Sequence, residues 1–197
     1  MVPVSILVEG STDEPVAKRL LEYVGLIPGP VYGKQGKNYL LNRLLNYNNA
    51  ARYGSSWFVI IDLDNVLCPS EAIATWLPEP ASKMCCRIAV RSIEAWLMAD
   101  REQMAAFLSV SVAKIPDKPE LEADPKSTLL SIARTSHKKS IREDLVPRAS
   151  SGAKVGPLYP ARITEFVENF WRPEVAAQHS ISISRCINAL SKLMTST

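Results

Sequence analysis

The sequence predicts an α/β fold: a mostly parallel central sheet flanked by helices, with a helical C-terminal extension. Two observations carry this. In the first half, short and almost continuously apolar runs (VSILVE, WFVIID, CCRIAV) alternate with amphipathic stretches of helical length. Strands that are apolar on both faces belong in sheets covered on both sides, and the intervening helices supply the crossovers that parallel strands require. In the second half no such run recurs; a polar, proline-bearing stretch gives way to helical patterns. The division follows: an α/β core over residues 1–108 and a helical extension over 109–197, packed on the same domain.

VSILVE is a strand closed by Glu9 and Gly10. STDEPVAKRLLEYVG reads as a helix: Ser11 and Glu14 have capping-box spacing, Pro15 falls in the first turn, and Gly25 ends it. Val16, Leu20, Tyr23 and Val24 form its apolar stripe. GPVYGKQGK is a short strand with a glycine-bearing loop, and NYLLNRLLNYNNAARYG a second helix. WFVIID and CCRIAV are strands separated by a short helix, PSEAIATWL; SIEAWLMADREQMAAFL is a further helix. SVSVAKIPDKPELEADPK reads as a surface loop and SIARTSHKKSIREDLVPR as a charged helix. ASSGAKVGPLYPARITEFVENFW is a small-residue loop entering a helix near Tyr159, and ISISRCINALSKLM is the last helix. Trp57, Trp76, Trp96 and Trp171 lie in or beside apolar runs and read as packing residues rather than stacking platforms.

Composition narrows the function classes. The 197 residues are 47% hydrophobic and 22% charged, which suits a globular domain, and the net charge is only +3, so nucleic-acid binding would need a local basic patch. No apolar run approaches the roughly 20 residues of a membrane helix. MVPVSILVEG lacks a basic n-region and reads as a strand rather than a signal peptide. The four cysteines form no Cys-x-x-Cys pair and there are two histidines, which argues against zinc and for reduced thiols in the cytoplasm.

Two aspartates, Asp62 and Asp64, end the apolar run of FVIIDLDNV. Ionised carboxylates this close repel unless a cation, hydrogen-bond donors or solvent compensate them. Mg²⁺ favours such oxygen ligands together with water and phosphate. A solvated strand exit explains the pair equally well. Glu9, at the end of another buried strand and before Gly10, adds weight to the cation reading. Asp13 and Glu14 stand in a first helical turn, where acids are favoured anyway; Glu14 goes to capping and Asp13 is kept as a site candidate.

VEGSTDE followed by IIDLDN resembles the Toprim domain of topoisomerases, bacterial primases, recombination proteins and the overcoming-lysogenisation-defect nucleases. The likeness covers residues 4 to 100. RIAVRSIEAWLMAD and SGAKVGPLY further resemble small stand-alone bacterial Toprim-like proteins grouped with nuclease-type defence genes. The resemblance implies Mg²⁺ or Mn²⁺ held by Glu9, Asp62 and Asp64, with Asp13 as a further acid and Glu94 completing a second site. An acid at a helix N-terminus explains Glu94 as well. Asp100, six residues on, faces away from Glu94 on a regular helix and is left out. A chain of this length is not expected to carry the separate tyrosine domain of a topoisomerase or the neighbouring domains of a primase.

The expectation is a metal-dependent nuclease that hydrolyses phosphodiesters of DNA or RNA, in a defence or mobile-element setting. Two metals roughly 4 Å apart would activate water and stabilise the leaving oxygen. Lys34, Lys37, Arg91 and Lys154 are the candidate phosphate contacts, with Lys154 also a catalytic candidate; plain solvated loops are the alternative for each. The alternative function is a non-catalytic Toprim-like module that binds nucleic acid or a partner ATPase, the latter implied by the resemblance alone. A phosphatase-like or nucleotide-hydrolysing enzyme shares the Asp-x-Asp but leaves Glu9-Gly10 unexplained. Oligomerisation is left open.

Overall fold

Alternate residues of the apolar runs are buried on opposite faces of one sheet, because successive side chains of a strand point opposite ways. The computed structural model describes residues 3–64, 68–149 and 151–195. Four strands, β1 (Val4–Val8), β2 (Pro28–Gly33), β3 (Trp57–Asp62) and β4 (Met84–Ala89), form an all-parallel sheet in the order β2-β1-β3-β4. Val4, Ile6, Val8, Phe58 and Ile60 enter one core, and Leu7, Trp57, Val59 and Ile61 enter the other. The second core is closed by Leu40, Leu44 and Ala51 of α2 (Lys37–Arg52) and by Leu77 after α3 (Pro69–Trp76).

The larger core receives α1 (Asp13–Tyr23), α4 (Ile93–Met98), α5 (Arg101–Leu108), α6 (Pro125–Arg134), α7 (Lys139–Leu145), α8 (Tyr159–Asn169), α9 (Pro173–His179) and α10 (Ile181–Thr195). It mixes strand residues with Leu129, Phe166, Ile183 and Leu190 from beyond residue 108. Trp57, Trp96 and Trp171 are buried and Trp76 is partly buried. Among the described residues no helix is long and apolar enough to cross a membrane.

Several expectations are corrected. The capping box does not form: Thr12 occupies the N-cap of α1 without a side-chain cap, and Asp13 Oδ2 instead accepts the Gly10 N–H at 2.7 Å. Glu14 is drawn outward by ion pairs to Lys18 at 2.6 Å and to Lys34. Tyr23 is exposed, whereas Gly25, at φ 79°, does end α1, with Leu26 N donating to Leu21 O. The helix expected over 92–108 breaks at Asp100, whose carboxylate turns back to the Gln103 N–H of α5. The charged helix expected over 131–148 also breaks, because hydroxyls at Thr135 and Ser136 bond to Ile132 O and Lys138 N in place of helical continuation. Residues 109–124 contain two short 3₁₀ turns, Val112–Lys114 and Pro119–Leu121. The expected run through Trp171 ends at Asn169, and Pro173 opens α9.

Candidate functional site

Spatial and chain order part company between β1 and β3. The chain leaves β1 for one edge of the sheet and then fills the other edge through β3 and β4, so the crevice at their carboxyl ends is the topological switch point. Glu9 follows β1, Asp62 ends β3, Asp13 starts α1 and Glu94 lies in the first turn of α4, just after β4. Glu9 Oε1 accepts the Asp62 N–H at 2.9 Å, and Asp62 Oδ1 accepts the Ile93 N–H at 3.1 Å. Two main-chain bonds thus hold the three strand exits in register.

Three of these carboxylates, Glu9, Asp13 and Asp62, hold their protons more tightly than an ordinary carboxylate does. Burial, partly opposed by the bond from Asp62 and by Lys37, raises Glu9 to about 7. Burial and then Glu94 raise Asp13 to about 6, against the bond from Gly10. Asp62 is pushed well above the usual carboxylate range by burial and then by Asp13, Glu94, Glu9 and Asp64. Burial is the first cause in each, and repulsion from neighbouring acids adds to it.

Asp64 has a different setting. The strand ends at Asp62, and Asp64 takes a left-handed φ of 54°, so the two side chains do not share a strand face. Asp64 exchanges main-chain contacts with Arg91 (its N–H to Arg91 O at 2.9 Å, Arg91 Nη1 to its carbonyl at 3.1 Å). Its exposed carboxylate pairs with Lys37 Nζ at 2.8 Å. Lys37 also donates to the Asp62 carbonyl and lies 5.0 Å from the Trp76 ring centroid.

The basic candidates are therefore unequal. Lys37 and Arg91 are at the site and bonded to it. Lys34 belongs to an ion pair with Glu14. Lys154 is exposed and makes no hydrogen bond or ion pair among the described residues. In its loop, Gly156 serves packing: a Cβ there would meet Asp144 O at 2.3 Å. At Gly10 a Cβ would make only ordinary contacts, at 3.7 Å or more, so the protein's own packing does not demand that glycine.

Two site residues, Lys126 and Tyr159, escaped the sequence reading, and both bind the predicted Glu94. Glu94 is wholly buried and is held by Ser92 Oγ at 2.6 Å, Tyr159 Oη at 2.8 Å and Lys126 Nζ at 3.2 Å. Burial opposes the charge of Lys126, but Glu94, with Asp62 and Asp13 behind it, outweighs burial and keeps the ammonium above its ordinary range. Burial and then Glu94 raise the Tyr159 phenol. ADPKS did carry a signal: Asp124 caps α6 by accepting from Ser127 N–H at 3.0 Å, with Pro125 at the start, so Lys126 lies in the first turn. A polar cleft of ≈ 250 Å³, lined by Asp62, Asp64, Arg91, Ser92, Asp124 and Lys126, opens beside the carboxylates.

The donor set is all oxygen and surplus in negative charge, the chemistry of a hard-cation site. Among the described residues, however, no three His, Cys, Asp or Glu side chains are grouped closely enough to hold a metal ion. Glu94 is committed to three protein donors. The acids nearest to a cation role are Glu9, Asp13 and Asp62, with Asp64 at the rim. A scan against protein-family models matched none, and searches of curated proteins and of solved structures found no match.

Proposed function

We propose that the chain is a Toprim-like, Mg²⁺- or Mn²⁺-dependent nuclease that hydrolyses phosphodiester bonds of DNA or RNA. The observation that carries this reading is the convergence of Glu9, Asp13, Asp62 and Glu94 at the switch point, where burial, and after it the neighbouring acids, raises Glu9, Asp13 and Asp62. A cation would offset that repulsion, and Glu9, Asp62 and Asp64, with Asp13 assisting, are the residues that would hold it. Bound there, a divalent ion supplies an activated water and charge stabilisation at the leaving oxygen.

The protein's own groups divide the remaining work. Glu9, which burial raises to about 7 in the metal-free protein, would be drawn to its ionised form by a cation and serve as its ligand. Lys126, beside Glu94 and on the cleft wall, offers positive charge to a phosphate. Arg91 lines the same cleft, and Lys37 fixes Asp64 at its rim. Lys34 and Lys154 remain candidates for contacts farther along a nucleic acid.

The second reading is a non-catalytic module that binds nucleic acid or a partner ATPase. It is favoured by the absence of a ready three-ligand group among the described residues and by the neutralisation of Glu94 by Lys126. Two measurements separate the readings: calorimetric titration with Mn²⁺, and cleavage of labelled DNA and RNA strands with Mg²⁺ or Mn²⁺. The nuclease reading expects saturable binding and cleavage that both disappear in Asp62→Ala and Glu9→Ala proteins with unchanged circular dichroism. Nucleic-acid binding without metal-dependent cleavage leaves the second reading standing.

A further inference from the structure

On the far edge of the sheet, away from the carboxylate-rich crevice, β4 pairs with β3 alone. Trp57 N–H and Leu63 N–H bond to Lys83 O and Ala89 O. Backbone groups alternate along a strand, so 85 and 87 also face β3, while Cys86 and Ile88 turn their N–H and C=O groups outward. Among the described residues no other element hydrogen-bonds to those outward groups.

This edge forms the floor of a groove. Ile73 and Leu77, in and just after α3, make one wall, and Arg185 and Ala189 of α10 make the other. Two adjoining cavities, of ≈ 500 Å³ and ≈ 490 Å³, run along it and share Ile73, Arg87 and Arg185. Arg87 is partly buried and Arg185 exposed. Neither guanidinium has a hydrogen bond or an ion pair among the described residues. The acid in the groove, Glu120, is already occupied: its Oε1 accepts from Ser180 Oγ at 2.6 Å and from Ser182 N–H at 3.0 Å.

We propose that this groove takes an extended, acidic peptide segment of a partner protein, which adds a strand to β4 and pairs its carboxylates with Arg87 and Arg185. The N–H and C=O groups of Cys86 and Ile88, unbonded on their outward side among the described residues, match a peptide backbone, and the apolar wall of Ile73 and Leu77 accepts its alternate side chains. Guanidinium forks that have no partner among the described residues favour carboxylates. A second copy of the chain is a poor occupant, since a two-fold pairing of β4 with itself brings the arginines of one copy towards those of the other. The six residues of β4 span roughly 20 Å, enough for a segment of similar length. The proposal is independent of the chemistry at the carboxylate site.

The test uses the full chain and a fluorescein-labelled hexapeptide of alternating glutamate and valine, read by fluorescence anisotropy. Saturable binding is expected, weakened about tenfold or more by Arg87→Ala/Arg185→Ala, and lost when alternate peptide amides are N-methylated. Arg185→Ala alone, on the exposed face of α10, serves if the double variant fails to fold. No binding at millimolar peptide overturns the proposal, as does equal binding of a lysine–valine peptide or indifference to the arginines. Sedimentation showing a dimer that excludes the peptide also overturns it, assigning the groove to a second copy.

Discussion

The phenol of Tyr159 donates to Glu94 Oε1 at 2.8 Å across 65 positions of the chain, joining the first turn of α8 to the first turn of α4. Through this bond the helical second half of the molecule fixes an acid of the crevice. Tyr159→Phe removes one of three donors from a wholly buried carboxylate while keeping the ring's packing. A loss of about 1–3 kcal/mol in stability is expected from urea denaturation, because a buried charged acceptor is left short of a partner.

The raised Glu9 and Asp13 pKa values make a pH prediction with a definite sign. Between the ordinary carboxylate range and about 7, the folded protein binds more protons than the unfolded chain. Stability therefore falls as pH rises through that window. The metal-free protein is expected to melt at a higher temperature at pH 5 than at pH 7.5, with the difference reduced in Glu9→Gln. Saturating Mn²⁺ at pH 7.5 is expected to restore stability, since a ligand that binds only the folded state raises its melting temperature.

Asp62→Asn separates stability from function. The amide keeps an oxygen to accept the Ile93 N–H and removes a carboxyl whose ionisation is opposed by burial and by four other acids. Unfolding measured by calorimetry is expected to show a metal-free variant at least as stable as the native chain. On the nuclease reading, the same variant loses Mn²⁺ binding and strand cleavage.

Asp100 and Arg172 are a structural pair. Asp100 is wholly buried and accepts from Arg172 Nη2 at 2.7 Å and from Arg172 Nε and main-chain N at 3.0 Å. Arg172→Ala leaves a buried carboxylate without its counter-charge, and a destabilisation of about 3 kcal/mol is expected by chemical denaturation. The two remaining main-chain donors, from Gln103 and residue 172, hold the effect near that value.

Gly156→Ala tests whether the glycine of SGAKVGPLY is kept for packing. Its Cβ would stand 2.3 Å from Asp144 O and 2.5 Å from the Leu145 carbonyl carbon. The loop must shift, at an expected cost of about 1–3 kcal/mol in denaturant unfolding, with Tyr159 displaced three residues on.

The parallel α/β sheet was legible in the sequence because its strands are apolar on both faces and local patterning reports burial directly. Glu9, Asp62 and Asp64 were legible as strand-exit acids for the same reason: a charge that ends a buried run has to emerge somewhere. Where each side chain would go was not. Asp64 leaves the shared face through a left-handed turn, and Glu14 joins Lys18 and Lys34 rather than a cap. The capture of Asp100 by Arg172 and of Glu94 by Lys126 and Tyr159 depends on partners 32 to 72 positions away, beyond the reach of any local pattern. Sequence by itself determined which segments bury and where the acids surface. Only the tertiary structure decided which acids meet and which cations reach them, because charge interactions act through space and depend on distance there rather than along the chain.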